Sequence, residues 1–290
     1  MSGVSEALHG AEKALAAAGV DTPRLDAQLL LAWCLKLRRE DLAREPERIL
    51  DSRAQLIFDK AVSLRALRRP LPYITGEAWF YGREFKVNRA VLIPRPETEL
   101  LVEVALAFAS QSPGPPRIAD VATGSGCVAV ALACEIERAH VVATDISPLA
   151  LLVAAKNRKR YGLGSRLELR EGDLCAPLAG ETFDIIVSNP PYIPAEDAPG
   201  LMPEVRDYEP ALALYGGEPN APLARSIAAL RAQLVAQAKA LLAPGGLLAV
   251  EIGQGQDGEA MAQFTAAGYA AVAVERDLAG IGRVVYGRVG

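Results

Sequence analysis

Four consecutive residues, Asn189-Pro190-Pro191-Tyr192, have the makings of a grip for a planar nitrogen. The Asn189 side-chain oxygen accepts hydrogen bonds, and the Pro190 carbonyl is a second acceptor whose direction is set by two successive rings. Two acceptors side by side hold an NH2 group. Tyr192 adds an aromatic face on which a planar amide or a base stacks, and which tolerates nearby positive charge. The tetrapeptide follows the apolar run from Phe183 to Ser188, which reads as a buried strand stopped by the prolines. It therefore sits at the C-terminal end of a strand, the edge of an open α/β sheet where ligands bind. A rigid turn with Tyr192 as packing would use the same residue types, so the partner features decide between the two readings.

The first partner is Asp120-Val121-Ala122-Thr123-Gly124-Ser125-Gly126, which ends one strand and begins a helix. Glycines there let a backbone approach a ligand closely and expose helix N-terminal N–H groups. Asp145 follows 19 residues after Gly126 at the close of the next strand, where a carboxylate can accept from both hydroxyls of a ribose. Gly172-Asp173 falls just after the third strand, where an acidic side chain could accept from an adenine amino group. Together these specify a nucleoside pocket. Gly124-x-Gly126-x-x-Ala129 also satisfies the dinucleotide fingerprint, so a nicotinamide dehydrogenase is an alternative. Against it, such an enzyme wants a proton donor near a substrate carbonyl, whereas His140 lies at the start of a strand, far from the functional edge.

The elements that position these residues come from the remaining pattern. From Ser112-Pro113-Gly114-Pro115-Pro116 onward, strands at 117–121, 140–144, 166–170, 183–188 and 246–252 alternate with helices from 126, from 148, across 222–242 and from 256. This predicts an α/β fold with a doubly wound, Rossmann-like sheet. Two final strands near 270–275 and 283–288 lack an intervening helix and predict an antiparallel hairpin at one edge. Residues 1–75 instead place Leu25, Leu29, Leu30, Trp33, Cys34 and Leu37, then Leu56, Val62, Leu64 and Leu67, at helical spacing, which predicts a small helical bundle with these apolar stripes as its core rather than as a partner surface. The cluster Arg65, Arg68, Arg69 reads as a solvated helix face. Residues 76–96, dense in aromatic and β-branched types, predict a β-hairpin linker to a domain spanning 97–290.

Composition narrows the classes. Half of the 290 residues are hydrophobic and the formal net charge is -4, so neither disorder nor a global basic field for duplex nucleic acid is expected. Four cysteines without a CxxC pair, and two histidines, argue against a Cys/His metal site and for a reduced, cytoplasmic home. No signal-peptide pattern or long apolar run points to a membrane, and no oligomerisation element is evident, so a monomer is expected.

With these residues assembled, the chain resembles the HemK/PrmC family, S-adenosylmethionine-dependent methyltransferases of the glutamine side chain in peptide-chain release factors. The resemblance covers nearly the whole chain. It rests on the stretches Tyr73 to Gly82, Leu92 to Glu99, Asp120 to Gly126, Asn189 to Tyr192, Tyr208 to Leu214 and Glu251 to Gly253. The Asn-Pro-Pro-aromatic motif alone is shared with adenine-N6 methyltransferases of nucleic acid; Arg95-Pro96-Glu97 and the helical N-terminal domain point to the protein-glutamine branch.

The resemblance implies that Ala122, Thr123, Gly124, Ser125 and Gly126 line the methionine part of S-adenosylmethionine, that Asp145 holds its ribose, and that Asp173 and Leu174 flank its adenine. It implies that Asn189 borders the cofactor and, with Pro190, holds the substrate amide, that Tyr192 lies against that amide, and that Pro191, Arg95 and Glu97 belong to the substrate side. The sequence departs from the family where Ala122 replaces the usual Gly, in Gly216-Gly217-Glu218-Pro219-Asn220, and at Ile281-Gly282-Arg283. Rival readings are an adenine-N6 nucleic-acid methyltransferase, a glutamine methyltransferase of a ribosomal protein, and a module that only senses S-adenosylmethionine.

Overall fold

The computed structural model describes residues 3–111, 114–217 and 226–290. The start of the proline-rich stretch at 112–113, the departure at 218–220 and the first residues of the helix expected across 222–242 lie outside the described residues. In chain order the helices and strands are α1 Val4–Ala17, α2 Pro23–Leu35, α3 Arg39–Leu42, α4 Ser52–Ala66, α5 Leu71–Thr75, β1 Glu77–Phe80, β2 Arg83–Lys86, α6 Glu99–Ala109, β3 Arg117–Val121, α7 Cys127–Glu135, β4 His140–Asp145 and α8 Pro148–Arg160. There follow β5 Leu167–Glu171, β6 Phe183–Ser188, α9 Pro203–Arg206, α10 Ala211–Tyr215, α11 Ile227–Lys239, β7 Leu242–Glu251, α12 Asp257–Ala266, β8 Ala270–Arg276 and β9 Gly282–Arg288. None of the helices among the described residues is long and apolar enough to cross a membrane.

The chain divides into two compact units, Met1–Glu77 with Met202–Tyr208, and Ala78–Leu201 with Glu209–Gly290. The smaller is helical. Pro23 opens α2 behind Thr22, whose hydroxyl bonds Asp26 at 2.8 Å, and Asp51 caps α4 by accepting from Ala54 N at 2.7 Å. Its core gathers Leu15, Leu30, Leu31, Phe58, Ala61 and Val62. Two expectations are corrected here. Leu56 and Leu67 are 70% and 68% exposed and belong to no core. Arg65 is no solvated group but buried, with Nε 2.6 Å from Asp26 and Nη1 2.8 Å from Glu204, while Arg68 Nη2 meets the other Glu204 oxygen at 2.7 Å. The cations turn inward because Asp26 and a distant segment, 202–208, bring carboxylates that sequence spacing cannot reveal.

In the larger unit β1 and β2 form a hairpin, and seven strands form one sheet in the order β5-β4-β3-β6-β7-β9-β8. β3 to β7 are parallel, and β9 runs antiparallel to β7 and β8, as the missing connecting helix requires. The continuous apolar run of β6 is explained by burial on both faces. Ile185 and Val187 pack with α6 and α7, whereas Phe183 and Ile186 pack with α11 and α12. Each such side chain is worth about 1.5–3 kcal/mol when fully buried. Chain order reverses between β3 and β6, the switch point at which the carboxyl ends of an open sheet leave a crevice.

Candidate functional site

The crevice at the switch point is built by register. Val121 pairs with Thr144 on one side and Ser188 on the other, and Asp145 pairs with Glu171. The residues that follow, Ala122 to Ser125, Ile146, Gly172 to Leu174 and Asn189, therefore leave neighbouring strands along one edge. They enclose a cavity of about 360 Å³. Of the residues singled out from sequence, Ala122, Thr123, Gly124, Ser125, Asp145, Asp173, Leu174, Asn189, Pro191 and Arg95 line it, and Gly126, Pro190, Tyr192 and Glu97 do not. Gly126 instead serves packing: at φ +78° it holds the loop against α8, where an added Cβ would lie 3.2 Å from Ala154 Cβ.

Two carboxylates support the glycine loop. Asp145 accepts from Gly124 N and Ser147 N, both at 2.8 Å, one on each oxygen, which leaves each oxygen a lone pair at the cavity. Burial raises its pKa and those two N–H groups pull it back. Asp120 is fully buried, accepting from Thr123 Oγ1 at 2.6 Å and Ala129 N at 3.1 Å; burial pushes it to about 7 despite them, with the Asp145 charge adding to the rise. Ala122 adopts φ +61°, the left-handed conformation that the family's usual glycine takes without cost.

Around the tetrapeptide, the decisive bond is Asn189 Nδ2 donating to Thr98 Oγ1 at 3.1 Å, with Thr98 almost wholly buried. Using the NH2 end this way leaves Oδ1, the acceptor, for the cavity. Tyr192 is fixed from behind: Gln256 Nε2 donates to its carbonyl at 2.7 Å, and Gly253 leaves room for its ring, since a Cβ there would lie 3.1 Å from Tyr192 Cδ2. Burial raises the Tyr192 phenol, so it stays neutral. Arg95 pairs with Glu209, whose other oxygen accepts from Ile93 N at 3.0 Å. Glu209 is buried and its carboxyl is raised by burial, with Arg95 and the Ile93 N–H opposing.

Asp120, Thr98 and Glu209 hold the loop, Asn189 and Arg95 in place, roles that residue type alone does not assign, and Glu251 lies buried at the end of β7. Each lies inside a stretch that carried the family resemblance, Thr98 beside Arg95 and Glu209 beside Tyr208. That placement was the available signal; the partners come from elsewhere in the chain, and only the fold joins them.

A doubly wound sheet with a nucleoside-sized crevice at its switch point, and the Asn189 amide on the crevice wall, defines a Rossmann-like methyltransferase. Consistently, residues 97–200 match the methyltransferase small domain and residues 6–76 match the PrmC N-terminal domain. A methyltransferase of known structure from Pyrococcus furiosus superposes with a TM-score of 0.51 at 18% identity, over 73% of this chain and 91% of that one. More specifically, the chain belongs to the release factor glutamine methyltransferase family. The release factor glutamine methyltransferase of Nitratidesulfovibrio vulgaris is 41% identical over 284 residues, 97% of this chain and 93% of its own. That of Moorella thermoacetica is 45% identical over 251 residues, 87% and 86% of the two chains.

Proposed function

We propose that this protein transfers a methyl group from S-adenosylmethionine to the side-chain amide nitrogen of the glutamine in the Gly-Gly-Gln motif of peptide-chain release factors. The observation that carries the reading is the Asn189 amide, tied through its NH2 to Thr98 so that its oxygen is offered to the cavity. Kinship with two release factor glutamine methyltransferases over most of the chain supports the choice of substrate.

The cavity suits the cofactor. Asp145 retains lone pairs for ribose hydroxyls, Ile146, Leu149 and Leu174 offer apolar walls for a base, Asp173 provides an acceptor, and Ala122 to Ser125 form the loop for the remainder. When bound there, S-adenosylmethionine supplies an electrophilic sulfonium methyl group.

The chain's own residues supply orientation and charge stabilisation. A glutamine amide nitrogen is a poor nucleophile because its lone pair is delocalised into the carbonyl. As that conjugation is given up, the NH2 becomes more positive, and the Asn189 Oδ1 and Pro190 carbonyl acceptors stabilise it more strongly than they do the resting amide. Tyr192 holds the amide plane, and Arg95 and Glu97 serve the substrate side. No strong base is demanded, since the methylated nitrogen, positively charged and strongly acidic, gives its extra proton to water after the transfer.

On this reading residues 1–75 form the substrate-recognition domain, 76–96 the linker and 97–290 the methyltransferase domain of a cytoplasmic monomer that needs no direct nucleic-acid contact. The four free thiols suit a reducing compartment. Isothermal calorimetry checks the cofactor half. Asp145→Ala should weaken S-adenosylmethionine binding by about tenfold or more, as expected for losing a charged acceptor, and unchanged affinity would refute the assignment.

A further inference from the structure

Glu251 closes β7 directly beside the end of β6, is 2% exposed, and its Oε2 has no hydrogen-bond partner. A buried carboxyl left short of donors is expensive, so its retention calls for a role. The hydroxyls of Thr98 and Tyr192 approach it, and Thr98 is the residue that accepts from Asn189 Nδ2. A threonine hydroxyl has one proton to give and lone pairs to receive with. If its proton goes to a carboxylate, only its lone pairs face Asn189, and the asparagine must present NH2 to Thr98. If that carboxylate is lost, the Thr98 proton is free to turn to Asn189, and the amide can flip, presenting NH2 to the substrate where an acceptor is needed.

We propose that Glu251 is a positioning residue that sets the orientation of the Asn189 amide through the Thr98 hydroxyl. The inference rests on the proposed glutamine methylation for its purpose, but the orientation itself is observable without turnover. Around the carboxyl, burial raises its pKa to about 7, Thr98 and Tyr192 hydrogen bonding and Arg283 of β9 oppose the rise, and Glu97 adds to it; the buried Cys127 thiol at the start of α7 also senses its charge. The orienting carboxylate is thus present at and above neutral pH and is lost as the pH falls below about 7.

The test follows the Asn189 side-chain NH2 signal by nitrogen–proton NMR, identified by its loss in Asn189→Asp, from pH 5.5 to 8.5. In the wild type the signal should titrate with a midpoint near neutrality. Thr98→Val, which removes the hydroxyl at nearly constant volume, and Glu251→Gln, which keeps an acceptor but does not ionise, should both abolish that titration. A wild-type signal that does not move, or one that titrates unchanged in Glu251→Gln, overturns the proposal. In the methylation assay Thr98→Val should lose about tenfold to a hundredfold in kcat with cofactor affinity unchanged. Glu251→Gln, uncharged at every pH, should show throughout the lowered rate that the wild type reaches at acid pH, and no pH dependence of its own; wild-type rates in Thr98→Val also overturn the proposal. If the wild type methylates no release factor while the NMR titration behaves as stated, it is the functional reading that fails and not the orientation.

Discussion

At the scale of single residues, the tetrapeptide's chemistry was legible because residue type alone fixes what Asn, Pro and Tyr can accept or stack upon. What could not be read was which end of the Asn189 amide faces the substrate, since that depends on Thr98, 91 positions away. Ala122 illustrates the same limit: the departure from glycine is visible in the sequence, its φ of +61° only in the fold. Ala122→Gly removes about 1–2 kcal/mol of left-handed strain and adds about 0.4–1 kcal/mol of unfolded-state entropy. Thermal denaturation should therefore show a variant equal to or slightly more stable than the wild type, and a clear loss of stability would refute the strain. Asp120 and Glu251 give a pH dependence of defined sign. Both carboxyls are raised to about 7 by burial, so the folded state binds protons that the unfolded state releases nearer pH 4. The stability associated with their protonated forms is complete below the unfolded values and is lost as the pH rises through about 7. Glu251→Gln should flatten part of that decline in melting temperature between pH 4.5 and 7.5; an identical slope would contradict it.

At the scale of elements, the strands of the sheet and the helices between them were legible because hydrophobic runs, glycines and caps all act locally. β3 and β6 match their expected limits, and the C-terminal hairpin appears as β8 and β9. The short helices α9 and α10 were not foreseen. A span of four or five residues shows too little periodicity, and its prolines read as loop. Yet α10 follows Glu209, and the Glu209 contacts to Arg95 and Ile93 N tie that stretch to the one preceding α6. Glu209→Gln keeps the shape but removes the countercharge of Arg95. We expect a raised KM for the protein substrate with little change in cofactor affinity, measured by steady-state methylation and calorimetry; an unchanged KM would assign the pair to structure alone.

At the scale of the whole molecule, the chain returns to its helical unit for Met202–Tyr208 after passing the tetrapeptide, then rejoins the larger unit at Glu209. Within the helical unit Glu204 meets Arg65 and Arg68, and Tyr208 Oη donates to Leu67 O at 2.5 Å. Burial pushes the Glu204 carboxyl up, but hydrogen bonds from Arg68 and Arg65 outweigh it and lower its pKa. Glu204→Ala leaves Arg68 without its carboxylate and Arg65 with Asp26 alone, and breaking a buried pair costs about 3 kcal/mol or more, so chemical denaturation should show a clearly weakened helical unit. No sequence pattern near Arg65 announced this, because its partner lies 139 residues away.

The central claim, that Asn189 presents an acceptor to a glutamine amide, is tested most directly by mass spectrometry of a release factor after incubation with methyl-labelled S-adenosylmethionine. The wild type should place one methyl group on the side-chain nitrogen of the Gly-Gly-Gln glutamine, and Asn189→Ala should slow that transfer by about a hundredfold or more, the scale for losing a transition-state hydrogen bond. Label on nucleic acid or a ribosomal protein instead, or equal rates for wild type and Asn189→Ala, would contradict it.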